Sequence, residues 1–268
     1  MDRPGAPRAH AEPGSSPYPG SLFLVVEGLD GAGKTTQIER LAAFLTAAGA
    51  SPVVTREPGG TPVGERIREI LLDPGHRDLS PRAEALLYAA DRAQHVEEVI
   101  RPALAAGRVV VSDRYVDSSL AYQGLARGLG VEEVLDVNLW ATGGLLPDLV
   151  LLLDVTPELG RSRSEGTDRI EQEADAFHRR VARAYWALSR TYPSRFAVVD
   201  ASAPPDVIEA EIRRRVEPLL AGRASGASGA EPANILRPSG GFLSQPPGDP
   251  PGDPPGDEGR EPAGRELA

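Results

Sequence analysis

The sequence predicts an α/β fold: a five-stranded parallel sheet, doubly wound and flanked by helices. Three observations point there. Strand-like and helix-like segments alternate through residues 21–221. The strand segments are near-continuous apolar runs rather than alternating ones, which suits strands covered on both faces. Glycine-rich and charged motifs fall just after the strands, where open parallel sheets place their ligands.

Taken in order, "LFLVVEG" (22–28) is the first strand and a helix follows from Lys34 to about Ala48. "PVVTR" (52–56) is the second strand, with helices through Val63–Leu72 and Arg82–Ala106. "RVVVSD" (108–113) is the third, followed by helical segments near 117–125 and 131–142. "DLVLLLDV" (148–155) is the fourth, "RFAVVD" (195–200) the fifth, and a last helix covers about 204–220. Residues 1–20 and 222–268 are expected to be disordered, because Pro, Gly and Ser leave them too little apolar area to offset ordering. The second segment repeats "PPGD" from Pro246, Pro250 and Pro254. Its PxxP spacing leaves a recognition peptide open beside a solvated tail.

Composition narrows the function. With 268 residues, 40% of them hydrophobic, the chain can build one sizeable core. A formal net charge of −10 argues against nucleic-acid binding by bulk electrostatics. Cysteine is absent, which removes disulfides, thiol nucleophiles and zinc-thiolate sites and suits a reducing cytoplasm. The longest apolar run, Leu149–Leu153, is strand-sized, and the N-terminus lacks the apolar core of a secretory signal. These features give the expectation of a cytoplasmic protein that binds neither membrane nor nucleic acid. Of 29 Lys and Arg residues, Lys34 is the only lysine. The arginines are therefore read as local anion clamps.

Gly28, Leu29, Asp30, Gly31, Ala32, Gly33, Lys34 and Thr35 complete the pattern G-x-x-x-x-G-K-[ST] between a strand and a helix, with Thr36 following. Glycines let backbone N–H groups wrap an oligophosphate, and the helix N-terminus adds partial positive charge. Lys34 would then reach the β- and γ-phosphates of a nucleoside triphosphate and the Thr35 hydroxyl would hold Mg²⁺. A compact ammonium fits a tight loop where arginine's planar fork does not. A GTPase needs an N-K-x-D motif, which a chain with its one lysine already placed cannot have. Arg56 after strand two can clamp an acceptor phosphate, and after strand three Asp113 can steady Mg²⁺ while Arg114 bridges two phosphates. The pattern is that of a small phosphotransferase.

Six segments in order, "EGLDGAGKTTQ", "TREPGGT", "AEALLYAADRAQH", "SDRYVDSSLAYQG", "PDLVLLLDVTPE" and "DRIEQE", resemble the thymidylate kinase family across about residues 22–221. The resemblance implies the P-loop nucleoside monophosphate kinase fold, transfer of a phosphoryl group from Mg·ATP to dTMP, and a homodimer. It assigns the acceptor phosphate to Arg56 and Arg114, and sets Asp30 facing the deoxyribose and the transferring phosphate. Ser119 is implied at the thymine edge, with Gln123 in the same motif, and Tyr122 along the sugar. Tyr88 is implied as the stacking residue, in a position where relatives often carry Phe, and Arg92 as the partner of a thymine carbonyl. Glu57 belongs to the acceptor motif, and its bond to Pro58 is implied to be cis.

Residues 157–170, rich in Arg, Ser and Gly, read as a short mobile lid. In the family an arginine comes from the phosphate loop or from the lid. Positions 29–32 hold none, so Arg163 is the first candidate for catalysis with Lys34, Arg114 and Asp30, and Arg161 and Arg169 follow. Asp168 and Glu171 are possible contacts to Mg²⁺ or the sugar. Two other readings stay open on sequence alone: a kinase for another nucleotide or nucleoside, and a nucleotide-binding regulator acting through its tail.

Overall fold

Five short runs rich in Val and Leu form a sheet, because each can bury both faces under helices. In the computed structural model, which describes Tyr18 and residues 20–224 except Glu165, these are β1 (Leu22–Gly28), β2 (Pro52–Arg56), β3 (Val109–Asp113), β4 (Leu149–Asp154) and β5 (Phe196–Asp200). All pairings are parallel and the order is β2-β3-β1-β4-β5. The register sets Asp113 beside both Val26 and Arg56, and Leu153 beside Gly28. The chemistry-bearing ends of four strands therefore share one sheet edge.

The helices are α1 (Lys34–Ala47), α2 (Pro62–Leu72), α3 (Pro81–His95), α4 (Arg101–Ala105), α5 (Val116–Ser119), α6 (Val131–Thr142), α7 (Pro157–Arg163), α8 (Asp175–Thr191) and α9 (Pro205–Ala224). α1 and α9 pack together, while α2, α3, α6, residues 120–126 and α8 form a second group. Start signals are local. Thr61, Ser80 and Thr156 cap α2, α3 and α7 through their hydroxyls, each followed by Pro in the first turn.

Five sequence expectations change. The helix expected over 82–106 is interrupted by a π-helical turn at Val96–Ile100, next to Pro102, which has no N–H to donate. A second π segment, Leu120–Ala126, continues α5. α8 has no counterpart in the sequence reading, although Phe177, Val181, Ala184, Tyr185 and Leu188 form a buried stripe at helical spacing. The lid begins as the helix α7, and α9 runs through Ala224, past the expected boundary. The PPGD segment and residues 1–17 lie outside the described residues.

Candidate active site

The phosphate loop is shaped by backbone. Gly31 and Gly33 have φ of 75° and 86°, a region that L side chains rarely adopt. A Cβ on Gly31 would collide with the Gly160 carbonyl of α7. Lys34 is buried and its Nζ donates to the carbonyls of Leu29 (2.9 Å) and Gly28 (3.3 Å). Asp30 lies 3.7 Å from it. Burial and then Arg114 lower the Lys34 pKa, against Asp30, Asp113 and Glu27.

Across the loop, Arg114 is held at φ 70°, the one described non-glycine residue with positive φ. Such a backbone persists only where its surroundings over-determine it. Its guanidinium donates to Asp30 Oδ1 (2.5 Å), Ser118 Oγ (3.2 Å) and Tyr185 Oη (3.3 Å), and lies over the Tyr122 ring. Burial alone would raise Asp30, but Arg114 and Lys34 overcome it and hold the carboxyl at about 2. Beneath them Glu27, on β1, accepts from Tyr115 N, Ser118 N and Oγ, and Tyr185 Oη. Burial pushes Glu27 up to about 6 against the pull of Arg114.

Asp30, Lys34, Arg114, Ser118 and Tyr122 line a cavity of about 540 Å³. It brings together Asp30, Gly31, Gly33, Lys34, Thr35 and Thr36 on one side with Arg56, Glu57, Tyr88, Asp113, Arg114, Ser119, Tyr122 and Gln123 on the other. Arg163 and Glu171 close it from the lid. The Tyr122 hydroxyl is buried without a partner among the described residues. Burial, followed by the charge of Glu84, raises the Tyr88 phenol. Gly28, Leu29 and Ala32 lie behind the loop's surface, outside this wall.

Three expected contacts are corrected. Arg92 is 1% exposed and does not reach the cavity: it donates to Glu57 Oε2 (2.7 Å), Ser119 Oγ (3.0 Å), Tyr115 O (2.9 Å) and Asn138 Oδ1. Acceptors from three other elements outcompete the open space, and through one of them, Ser119, Arg92 touches a residue that does line the cavity. The oxygen of Ser119 takes that bond, which leaves its O–H to donate into the cavity. Glu57 lines the cavity, but its carboxylate points inward, to Arg92 and to His95 Nδ1 (2.9 Å), and the Glu57–Pro58 bond is cis. Glu171 spends its carboxylate on the lid itself, accepting from Ser164 Oγ (2.5 Å), Thr167 N (2.8 Å) and Asp168 N (3.3 Å), so it is not a free metal ligand.

Among the lid arginines, Arg163 alone reaches the cavity, donating to Ala201 O at 3.0 Å. Arg161 pairs with Asp175, and Arg169 is buried against Leu71 O and Glu84. Sequence reasoning missed Arg68 and Ser118, which also line the cavity. Arg68 donates to Pro58 O at 2.9 Å, and its place two turns inside α2 gave no motif signal.

The comparisons with known proteins agree with this geometry. The family model described as thymidylate kinase matches residues 26–212. The chain is 52% identical to the thymidylate kinase of Bifidobacterium longum (strain NCC 2705) over 202 residues, covering 74% of this chain and 98% of that protein. Against the thymidylate kinase of Clavibacter sepedonicus it is 52% identical over 209 residues, covering 76% and 98%. The crystal structure of thymidylate kinase from Ehrlichia chaffeensis superposes with a TM-score of 0.61 at 29% identity, covering 74% of this chain and 99% of that one. With a phosphate loop, an arginine clamp and a shared sheet edge in place, the chain belongs to the thymidylate kinase family.

Proposed function

We infer that this protein transfers a phosphoryl group from ATP to the phosphate of dTMP, giving dTDP and ADP, as a cytoplasmic step towards dTTP. The observation that carries the reading is one cavity holding the phosphate loop on one wall and the arginines of two other strands on the facing wall. Phosphoryl transfer asks the protein mainly for positioning and charge neutralisation.

Each residue then has a task. The N–H groups of residues 28–36 cradle the donor phosphates, and Lys34 neutralises them. Arg56 and Arg114 hold the acceptor phosphate, and Arg163 adds positive charge from the lid. Asp30, ionised at neutral pH, aligns Arg114 and Lys34 through its two ion pairs. Tyr88 stacks on the base, Ser119 and Gln123 read its edge, and Tyr122 lies along the sugar. No side chain is required as a general base.

The site also suits Mg²⁺. Asp113 Oδ1 is buried and accepts no hydrogen bond among the described residues, and Thr35 lines the same cavity. Those two residues are the ones to hold the ion, which with ATP supplies further screening of phosphate charge. No described helix is long and apolar enough to cross a membrane. Val63 and Ile70 on α2, Leu86 on α3 and Trp140 on α6 (87% exposed) leave apolar area on packed helices, which supports a homodimer through that face.

A coupled ADP-release assay with Mg·ATP and dTMP, run beside dUMP, dCMP and thymidine, tests the reading. Turnover is expected with dTMP above the others; no turnover at micromolar enzyme overturns it.

A further inference from the structure

Glu84 stands outside the cavity wall, 1% exposed at the first turn of α3. It gathers donors from three places. Gln123 Nε2 donates at 2.9 Å, Arg127 through Nε and Nη2 at 3.2 and 3.1 Å, and Arg169 Nη2 at 2.7 Å. Two guanidinium groups keep this carboxylate ionised, and an ionised carboxylate can only accept. The two ends of the Gln123 amide are alike in shape, so the partner decides which faces it. Only the NH₂ end can face Glu84. The planar amide then turns Oε1 away from Glu84, and Gln123 lines the cavity beside Tyr88, Ser119 and Tyr122.

We propose that Glu84 is a positioning residue that sets base selectivity, by fixing Gln123 with its carbonyl oxygen toward the base. This rests on the dTMP reading above. A carbonyl oxygen complements the N3–H of thymine. Cytosine carries a lone pair at N3, and two acceptors set against each other repel and stay unpaired. Selectivity for a base with a protonated N3 therefore comes from a residue that never touches it.

The test is Glu84→Gln, a near-isosteric change. Arg127 Nη2 and Arg169 Nη2 both donate to Oε2, against the single guanidinium N–H of Arg127 Nε at Oε1, so the new amide keeps its oxygen at the Oε2 place. Its NH₂ gives up the Arg127 Nε bond and faces Gln123, which must present its own oxygen there and turn Nε2 into the cavity. The readout is kcat/KM for dTMP against 5-methyl-dCMP, which share methyl, sugar and phosphate. The wild type should favour dTMP, and E84Q should lower that ratio by at least about 10-fold, with dTMP losing and 5-methyl-dCMP gaining. Arg127→Gln is the control: it removes another partner of Glu84, leaves the Gln123 contact, and should keep the ratio. An unchanged ratio in E84Q overturns the proposal, as does an equal shift in R127Q, which would mark general loosening. Should E84Q alone not fold, E84Q/R127Q has one guanidinium fewer to compensate and serves in the same comparison against R127Q. Absence of dTMP turnover in the wild type sinks both the substrate reading and this proposal; turnover with an unmoved ratio sinks this proposal alone.

Discussion

The two walls of the cavity are built by different means. The donor wall is a loop of backbone: glycine conformations, N–H groups and two carbonyls that hold Lys34. The acceptor wall is a set of side chains held from behind by buried glutamates: Glu27 holds Ser118 and Tyr185, which bond Arg114; Glu57 holds Arg92, which bonds Ser119; and Glu84 holds Gln123. Groups written in one short run of chain can be changed without disturbing the core. Groups that depend on buried carboxylates cannot, because removing one partner strands the others in low dielectric.

The sharpest way to break the comparison is on the acceptor wall. Glu57→Ala removes the buried carboxylate that pairs with Arg92 and His95 and should cost about 3–5 kcal/mol in urea unfolding. A loss below about 1 kcal/mol would show that the wall does not lean on this carboxylate. Lys34→Arg probes the other side. Turnover should fall on the order of 10²-fold or more, with the circular dichroism spectrum of the folded protein retained. Near-normal turnover would refute the geometric reason for the lysine.

Asp91 gives a smaller, pH-dependent effect. It accepts from Gly59 N at 2.8 Å, and its second oxygen is buried without a partner among the described residues. Burial, then the charge of Glu57, pushes its pKa from 3.8 up to about 7. The folded value lies above the unfolded one, so its favourable contribution is complete below about pH 4 and is lost as pH rises through 7. Asp91→Asn lacks this loss. Its melting temperature relative to wild type should therefore climb steadily between pH 4 and 7 and level off above. A gap that does not change with pH would refute the assignment. Smallest of all, Glu65→Gln removes the exposed partner of Arg56 at 3.0 Å and should shift stability by under about 1 kcal/mol.

The same contrast explains what was legible beforehand. The five strands and the loop from Gly28 to Thr36 could be read because apolar runs and a fixed glycine–lysine spacing are local signals. Arg56, Arg114 and Asp113 followed from their places after strands. Arg92, Glu57 and Glu171 were assigned to substrate or metal because the sequence could not show how many acceptors and donors other elements bring to them. Glu84 was seen on the same helix face as Tyr88, but its partners lie 39, 43 and 85 residues away. The stripe of α8 is as periodic as that of any helix, yet the run between the lid and the fifth strand carries no motif and was given no element. The lid helix was hidden for a related reason: its cap, Thr156 with Pro157, is short and sits inside a Ser- and Arg-rich run.

Lys34 has a last consequence, for handling the protein in the laboratory. It carries the only side-chain amine in the chain, and that amine lies at the floor of the phosphate loop. Amine-directed reagents therefore meet a single internal target, and if the loop holds the donor phosphates as proposed above, its labelling should fall when nucleotide is bound. Surface immobilisation or dye conjugation through lysine would, by the same fact, fall on that loop.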